Sequence, residues 1–99
     1  MSDLLKQFRD KIDAIDAQLL ALVNERAALA REIGHLKDDG VIYRPEREAQ
    51  VIRRLQAENA GPLSPEAVSY IFRAVMSNCR ALEKELSIAF LVTLGTYIE

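Results

Sequence analysis

Residues 5–36 read LKQFRDKIDAIDAQLLALVNERAALAREIGHL. Within them Leu5, Phe8, Ile12, Ile15, Leu19, Leu22, Arg26, Leu29, Ile33 and Leu36 follow one another at alternating steps of three and four. That spacing predicts a long helix with one buried apolar seam. Nine of the ten seam positions are apolar and the tenth, Arg26, is a guanidinium. A charge buried without a partner costs several kcal/mol, so Arg26 needs an anion. Either it meets a carboxylate in an ion pair that fixes register, or it holds an anionic ligand inside a helix bundle.

The remainder of the chain reads as two further helices, so the expected fold is all-α, a three-helix subunit with one very long N-terminal helix. The first helix is expected over roughly 3–38, with Asp3 as its N-cap and Asp38-Asp39-Gly40 as its stop. At ~1.5 Å per residue it is about 50 Å long. A compact domain of this size has a radius of gyration near ~13 Å, so two shorter helices cannot cover the seam along its length. A second copy of the chain is therefore expected to do so. Pro45 suits the first position of helix two, which runs to about Asn59 with Ala49, Val51, Ile52 and Leu55 as its apolar positions, and Gly61-Pro62 ends it. Ser64-Pro65-Glu66 combines a serine cap, a proline and a first-turn acid. Helix three then carries Val68, Ile71, Phe72, Val75, Cys79, Leu82 and Leu86 at three- and four-residue steps.

Composition narrows the function classes. Ninety-nine residues make one domain, and 49% hydrophobic with 28% charged residues describes a soluble globular chain rather than a disordered one. A net charge of -2 without a Lys/Arg run offers no field for nucleic acid, and no apolar run reaches the ~18 residues of a membrane span. Met1-Ser2-Asp3 lacks the basic and apolar regions of a signal peptide, so a cytoplasmic protein is expected. The single cysteine forbids an internal disulfide and a zinc site of several thiolates, and the single histidine, His35, lies off the seam beside Gly34. Neither a metal nor a cofactor is expected.

Four polar residues intrude on or border the apolar faces. They are Arg26, Glu48, Glu83 and Lys37. Lys37 lies eleven residues beyond Arg26, three turns further along the same side and roughly 16 Å away. The two cations and two carboxylates either line one pocket or have separate structural roles. In the second case Lys37 is a solvated lysine at a helix C-terminus, Glu48 complements the start of helix two, and Glu83 pairs at the surface. Arg9, seventeen residues before Arg26, is about 25 Å from it and points elsewhere. It is either a surface arginine or a contributor to the other subunit's site. Cys79 reads most simply as a small buried residue, and the charge-dense Tyr43–Glu48 stretch YRPERE as a solvated helix start.

Taken together, FRDKIDAIDAQLLALVNERAALAREIGHLK, then YRPERE, then CRALEKE resemble the all-α class of chorismate mutases. More narrowly, they resemble the N-terminal mutase domain of bifunctional chorismate mutase–prephenate dehydratases. The order and spacing of the motifs carry it over residues 4 to about 88. The resemblance implies an intertwined homodimer with two sites of mixed-chain composition, and the conversion of chorismate to prephenate in phenylalanine and tyrosine biosynthesis. It implies that Arg26 grips a substrate carboxylate and that Arg9 does so in the partner's site. Lys37 would bind a carboxylate and the ether oxygen of the breaking bond, Glu48 would accept from the ring hydroxyl, and Glu83 would donate to the ether oxygen. Cys79 lies where relatives carry a small polar residue, and Arg44 stands where some have an aspartate, which implies rim or backbone contacts there. The rearrangement is intramolecular and needs no nucleophile, metal or redox cofactor. The protein must hold the dianion in its compact conformer, which bidentate arginine–carboxylate pairs can do. It must also stabilise charge on the ether oxygen with preorganised donors.

Residues 89–99 resemble the opening of a prephenate dehydratase domain but have Val92, Thr93 and Ile98 where glycine, proline and serine are expected. The expected division is thus a mutase domain over 1–88 and a truncated dehydratase start over 89–99. A helical dimerisation module, and an isochorismate pyruvate-lyase on the same scaffold, are the alternative functions. An ether oxygen only accepts hydrogen bonds, so Glu83 serves it in the protonated form. Catalytic efficiency should fall as pH rises through the titration of Glu83. Glu83→Gln, which keeps a donor without a titrating proton, should stay active and lose most of that alkaline decline. An unchanged pH–rate profile in the mutant would remove Glu83 from this role.

Overall fold

The protein, described here by a computed structural model, is a bundle of three helices: α1 Ser2–Leu36, α2 Pro45–Glu58 and α3 Pro65–Ile98. The structure describes the backbone of residues 2–36 and 44–98 and the side chains of 3–36 and 44–82. The expected stop at Asp38-Asp39-Gly40 and the residue Lys37 lie outside the described residues. Ser2 is already helical, so Asp3 stands in the first turn of α1, where its charge suits the helix dipole, rather than at the cap. Among the described residues no helix is long and apolar enough to cross a membrane.

Two helices are long, not one. α3 has 34 residues against 35 in α1. The extension follows from the residues around the expected domain boundary. Where a glycine and a proline would end the helix, Val92 and Thr93 leave both the backbone N–H and an ordinary φ in place. Gly95 alone lowers helix propensity by only ~1 kcal/mol.

The α2–α3 connection is fastened by its own polar side chains. Asn59, the C-cap of α2, accepts from the Gly61 N–H through Oδ1 at 3.1 Å and donates through Nδ2 to the Leu63 carbonyl at 2.7 Å. Gln56 Nε2 donates to the Pro65 carbonyl at 2.9 Å. Ser64 Oγ accepts from the Ala67 N–H at 3.0 Å, satisfying one of the orphan donors of α3. These bonds set α2 back against α3, and their contact forms the core of Val51, Ile52 and Met76 with Leu55 and Phe72 packed around it.

On its other side α3 packs on α1, and it does so along small residues. Ala30 is buried, and Ala27 and Gly34 are half-buried. The large seam residues are a different face: Leu5, Phe8, Ile12, Ile15, Leu19, Leu22, Leu29, Ile33 and Leu36 are all exposed within one chain. The Cα radius of gyration, 18.4 Å, exceeds the ~13 Å of a compact domain of this length. The expectation that one chain cannot cover its own seam is met.

Replacing the Ser64 cap should cost stability without touching either long helix elsewhere. Ser64→Ala is expected to lower the unfolding free energy by about 1 kcal/mol, read as a lower urea midpoint with an unchanged denaturant slope.

Candidate active site

A cavity of about 300 Å³ opens where the C-terminal half of α1, the first turns of α2 and the middle of α3 converge. Its polar wall is made of Arg26, Arg44, Arg47, Glu48, Cys79 and Arg80. Each of the three helices supplies at least one arginine, or in the case of Arg44 the residue just before the helix. Arg44 is the N-cap position of α2, held outside the helical region (φ -125°, ψ 82°) as a following proline favours, and its carbonyl accepts from the Glu48 N–H at 3.0 Å. The first turn of α2 therefore presents Arg44, Arg47 and Glu48 together.

Arg26 reaches the cavity from the seam. It is half-buried, and its Nη1 donates to the Cys79 Sγ at 3.2 Å. Cys79 itself is buried at 4% exposure. A thiol sulfur is a weak, neutral acceptor, so this contact orients the guanidinium without neutralising it. Glu48, the carboxylate on this wall, is instead paired with Arg80 across the α2–α3 contact.

The structure thus brings together Arg26, Arg44, Glu48 and Cys79, four of the residues expected from the sequence. Arg9 is exposed on α1 and is not among the lining residues. Lys37 lies outside the described residues, and for Glu83 only its place in α3, one turn beyond Cys79, is described. Two arginines were missed. Arg47 lies three residues after Arg44 and four before Val51, and that spacing was available to find it. Arg80 follows Met76 by one turn, and Met76, 3% exposed, had not been read as core. Among the described residues no group of His, Cys, Asp and Glu is arranged to hold a metal ion.

Residues 8–84 match the family model for chorismate mutase type II. The chain belongs to that family. The bifunctional chorismate mutase/prephenate dehydratase of Neisseria gonorrhoeae is 50% identical over 99 residues, which are 100% of this chain and 27% of that relative. The chain thus spans about a quarter of the length of such bifunctional relatives. The chorismate mutase of Methanocaldococcus jannaschii is 32% identical over 88 residues, 86% of this chain and 89% of that protein. Among solved structures, a chorismate mutase from Helicobacter pylori in complex with prephenate superposes with a TM-score of 0.80 at 29% identity, covering 84% of this chain and 92% of that one. The all-α fold of this chorismate mutase family member is therefore shared along nearly the whole of those single-domain relatives.

Proposed function

We propose that this protein is a chorismate mutase acting as a homodimer, in which each site is completed by Arg9 of the partner subunit. The observation that carries the reading is Arg26. It is a guanidinium facing a cavity on an otherwise apolar seam, and its one hydrogen bond among the described residues goes to a neutral sulfur. A register-fixing ion pair within the chain would have put a carboxylate there. Among the described residues the cavity wall instead gathers guanidinium groups with Glu48 as its carboxylate, which suits a small dianion.

In this reading Arg26 and Arg9 of the partner subunit grip the two carboxylates and hold the flexible substrate in its reactive chair-like conformer. Arg44 and Arg47 stand on the α2 wall of the same cavity. Glu48 accepts from the ring hydroxyl, and Cys79 orients Arg26. Lys37 and a protonated Glu83 donate to the ether oxygen as its C–O bond breaks and the new C–C bond forms. No proton, electron or group leaves the substrate. The exposed seam of α1 is the dimer surface, and residues 89–99 take no part in the chemistry. The protein works in the cytoplasm, in phenylalanine and tyrosine biosynthesis.

Incubation with chorismate and identification of the product by NMR tests the reading. Conversion to the isomer prephenate supports it, release of pyruvate would make the protein a lyase, and no turnover would make it a scaffold.

The shared site has its own test. Arg9→Ala and Arg26→Ala chains should each be inactive as homodimers. Unfolded and refolded together, they form heterodimers with one intact and one doubly damaged site, and activity should partly return. Verified heterodimers as inactive as the parents would exclude a site shared between subunits.

A further inference from the structure

Three ion pairs between described residues differ in kind. Lys6–Asp10 and Arg54–Glu58 link residues four apart on one helix, with side chains more than half exposed. Such pairs contribute little. Glu48–Arg80 joins α2 to α3, and its side chains are 19% and 29% exposed. It also lies in the cavity wall that Arg26, Arg44 and Arg47 help to line.

We infer that Arg80 is a positioning residue for Glu48, holding its carboxylate on the α3 side of the cavity in the orientation that receives the substrate hydroxyl. The inference rests on the mutase reading given above. An ionised carboxylate accepts at about four lone-pair sites, so the pair with Arg80 leaves acceptor capacity for a hydroxyl. The pairing has a second effect. A dianionic substrate meets a like charge at Glu48, and the neighbouring guanidinium offsets that repulsion. Arg80 is well placed for both. It is one residue past the buried Cys79 and one turn past Met76, so α3 fixes its base while the side chain crosses to the first turn of α2.

The test is a double-mutant cycle on chorismate turnover and thermal unfolding, using wild type, Arg80→Met, Glu48→Gln and the double mutant, with Arg80→Lys as the conservative variant. Loss of one charge-assisted contact corresponds to about tenfold, so Arg80→Met should raise KM by about tenfold, with kcat much less affected. In the Glu48→Gln background the same change should alter kcat/KM by less than about twofold, because the group it acts through is gone. Arg80→Lys should recover most of the loss, since an ammonium still pairs with Glu48 although not bidentately. An equally large effect of Arg80→Met in both backgrounds would overturn the inference and make Arg80 a direct substrate ligand. A lowered melting temperature with KM unchanged would also overturn it, leaving Arg80 a structural strap between helices. Should Arg80→Met fail to fold, Arg80→Gln takes its place in the cycle. A wild-type chain that turns over no chorismate would instead bring down the mutase reading, which separates the two failures.

Discussion

A helix of 35 residues in a chain of 99 is about 52 Å long, and the chain has too little left to wrap it. That constraint organises everything else. α1 has two apolar faces with different side chains. The face of Ala27, Ala30 and Gly34 is covered within the chain, while the face of Leu, Ile and Phe stays exposed in the single chain. The core that one chain builds for itself is correspondingly small, since Ala30, Val51, Ile52, Val68, Met76 and Cys79 are its buried apolar residues among those described. Full burial of a large apolar side chain is worth about 1.5–3 kcal/mol, and the seam holds more such residues than the core does. Stability and association are therefore coupled in the homodimer we propose.

The same geometry decides where the site sits. α3 touches both α1 and α2, so the three helices meet only along the stretch of α3 that faces both neighbours. Arg26, Glu48, Cys79 and Arg80 all lie at that junction. Cys79 contributes bulk to the packing and a weak acceptor to Arg26. A carboxylate at that position would neutralise the guanidinium from within the protein. Sulfur fixes its direction and leaves the charge for a ligand.

The parts of this arrangement legible in the sequence are those with a strong local signal. The seam of α1, the proline at the start of α2, and the Ser64-Pro65 start of α3 gave helix number and order, with starts close to those observed. Arg26 was legible because it broke a periodic pattern. Arg80 and Met76 were not, because α3 is apolar on two sides. The expected stripe of Val68, Ile71, Phe72, Val75 and Cys79 spans both sides: Val68 and Cys79 are buried and Phe72 packs against the core, whereas Ile71 is 43% exposed. The face through Phe72 and Met76 is the one that packs on α2. One periodic pattern cannot say which of two apolar faces meets its own chain. α3, expected to be shorter than α1, is nearly as long, because a helix ends where residues such as glycine and proline end it and Val92 and Thr93 do not.

Placing the arginines on three separate helices has a physical consequence. Guanidinium groups repel one another, and a helix carrying several on one face would be destabilised on its own. Arg26, Arg80 and the Arg44–Arg47 pair sit on α1, α3 and the start of α2, so the three sets come together only when the tertiary contacts bring the helices together. The strain of that assembly is eased by neutral and acidic neighbours, Cys79 at Arg26 and Glu48 at Arg80. A bound dianion eases it further, so ligand binding and helix packing favour the same arrangement. In the mutase reading we propose, the site is then preorganised before substrate arrives, which is what a rearrangement without a covalent enzyme intermediate or a cofactor requires of its protein.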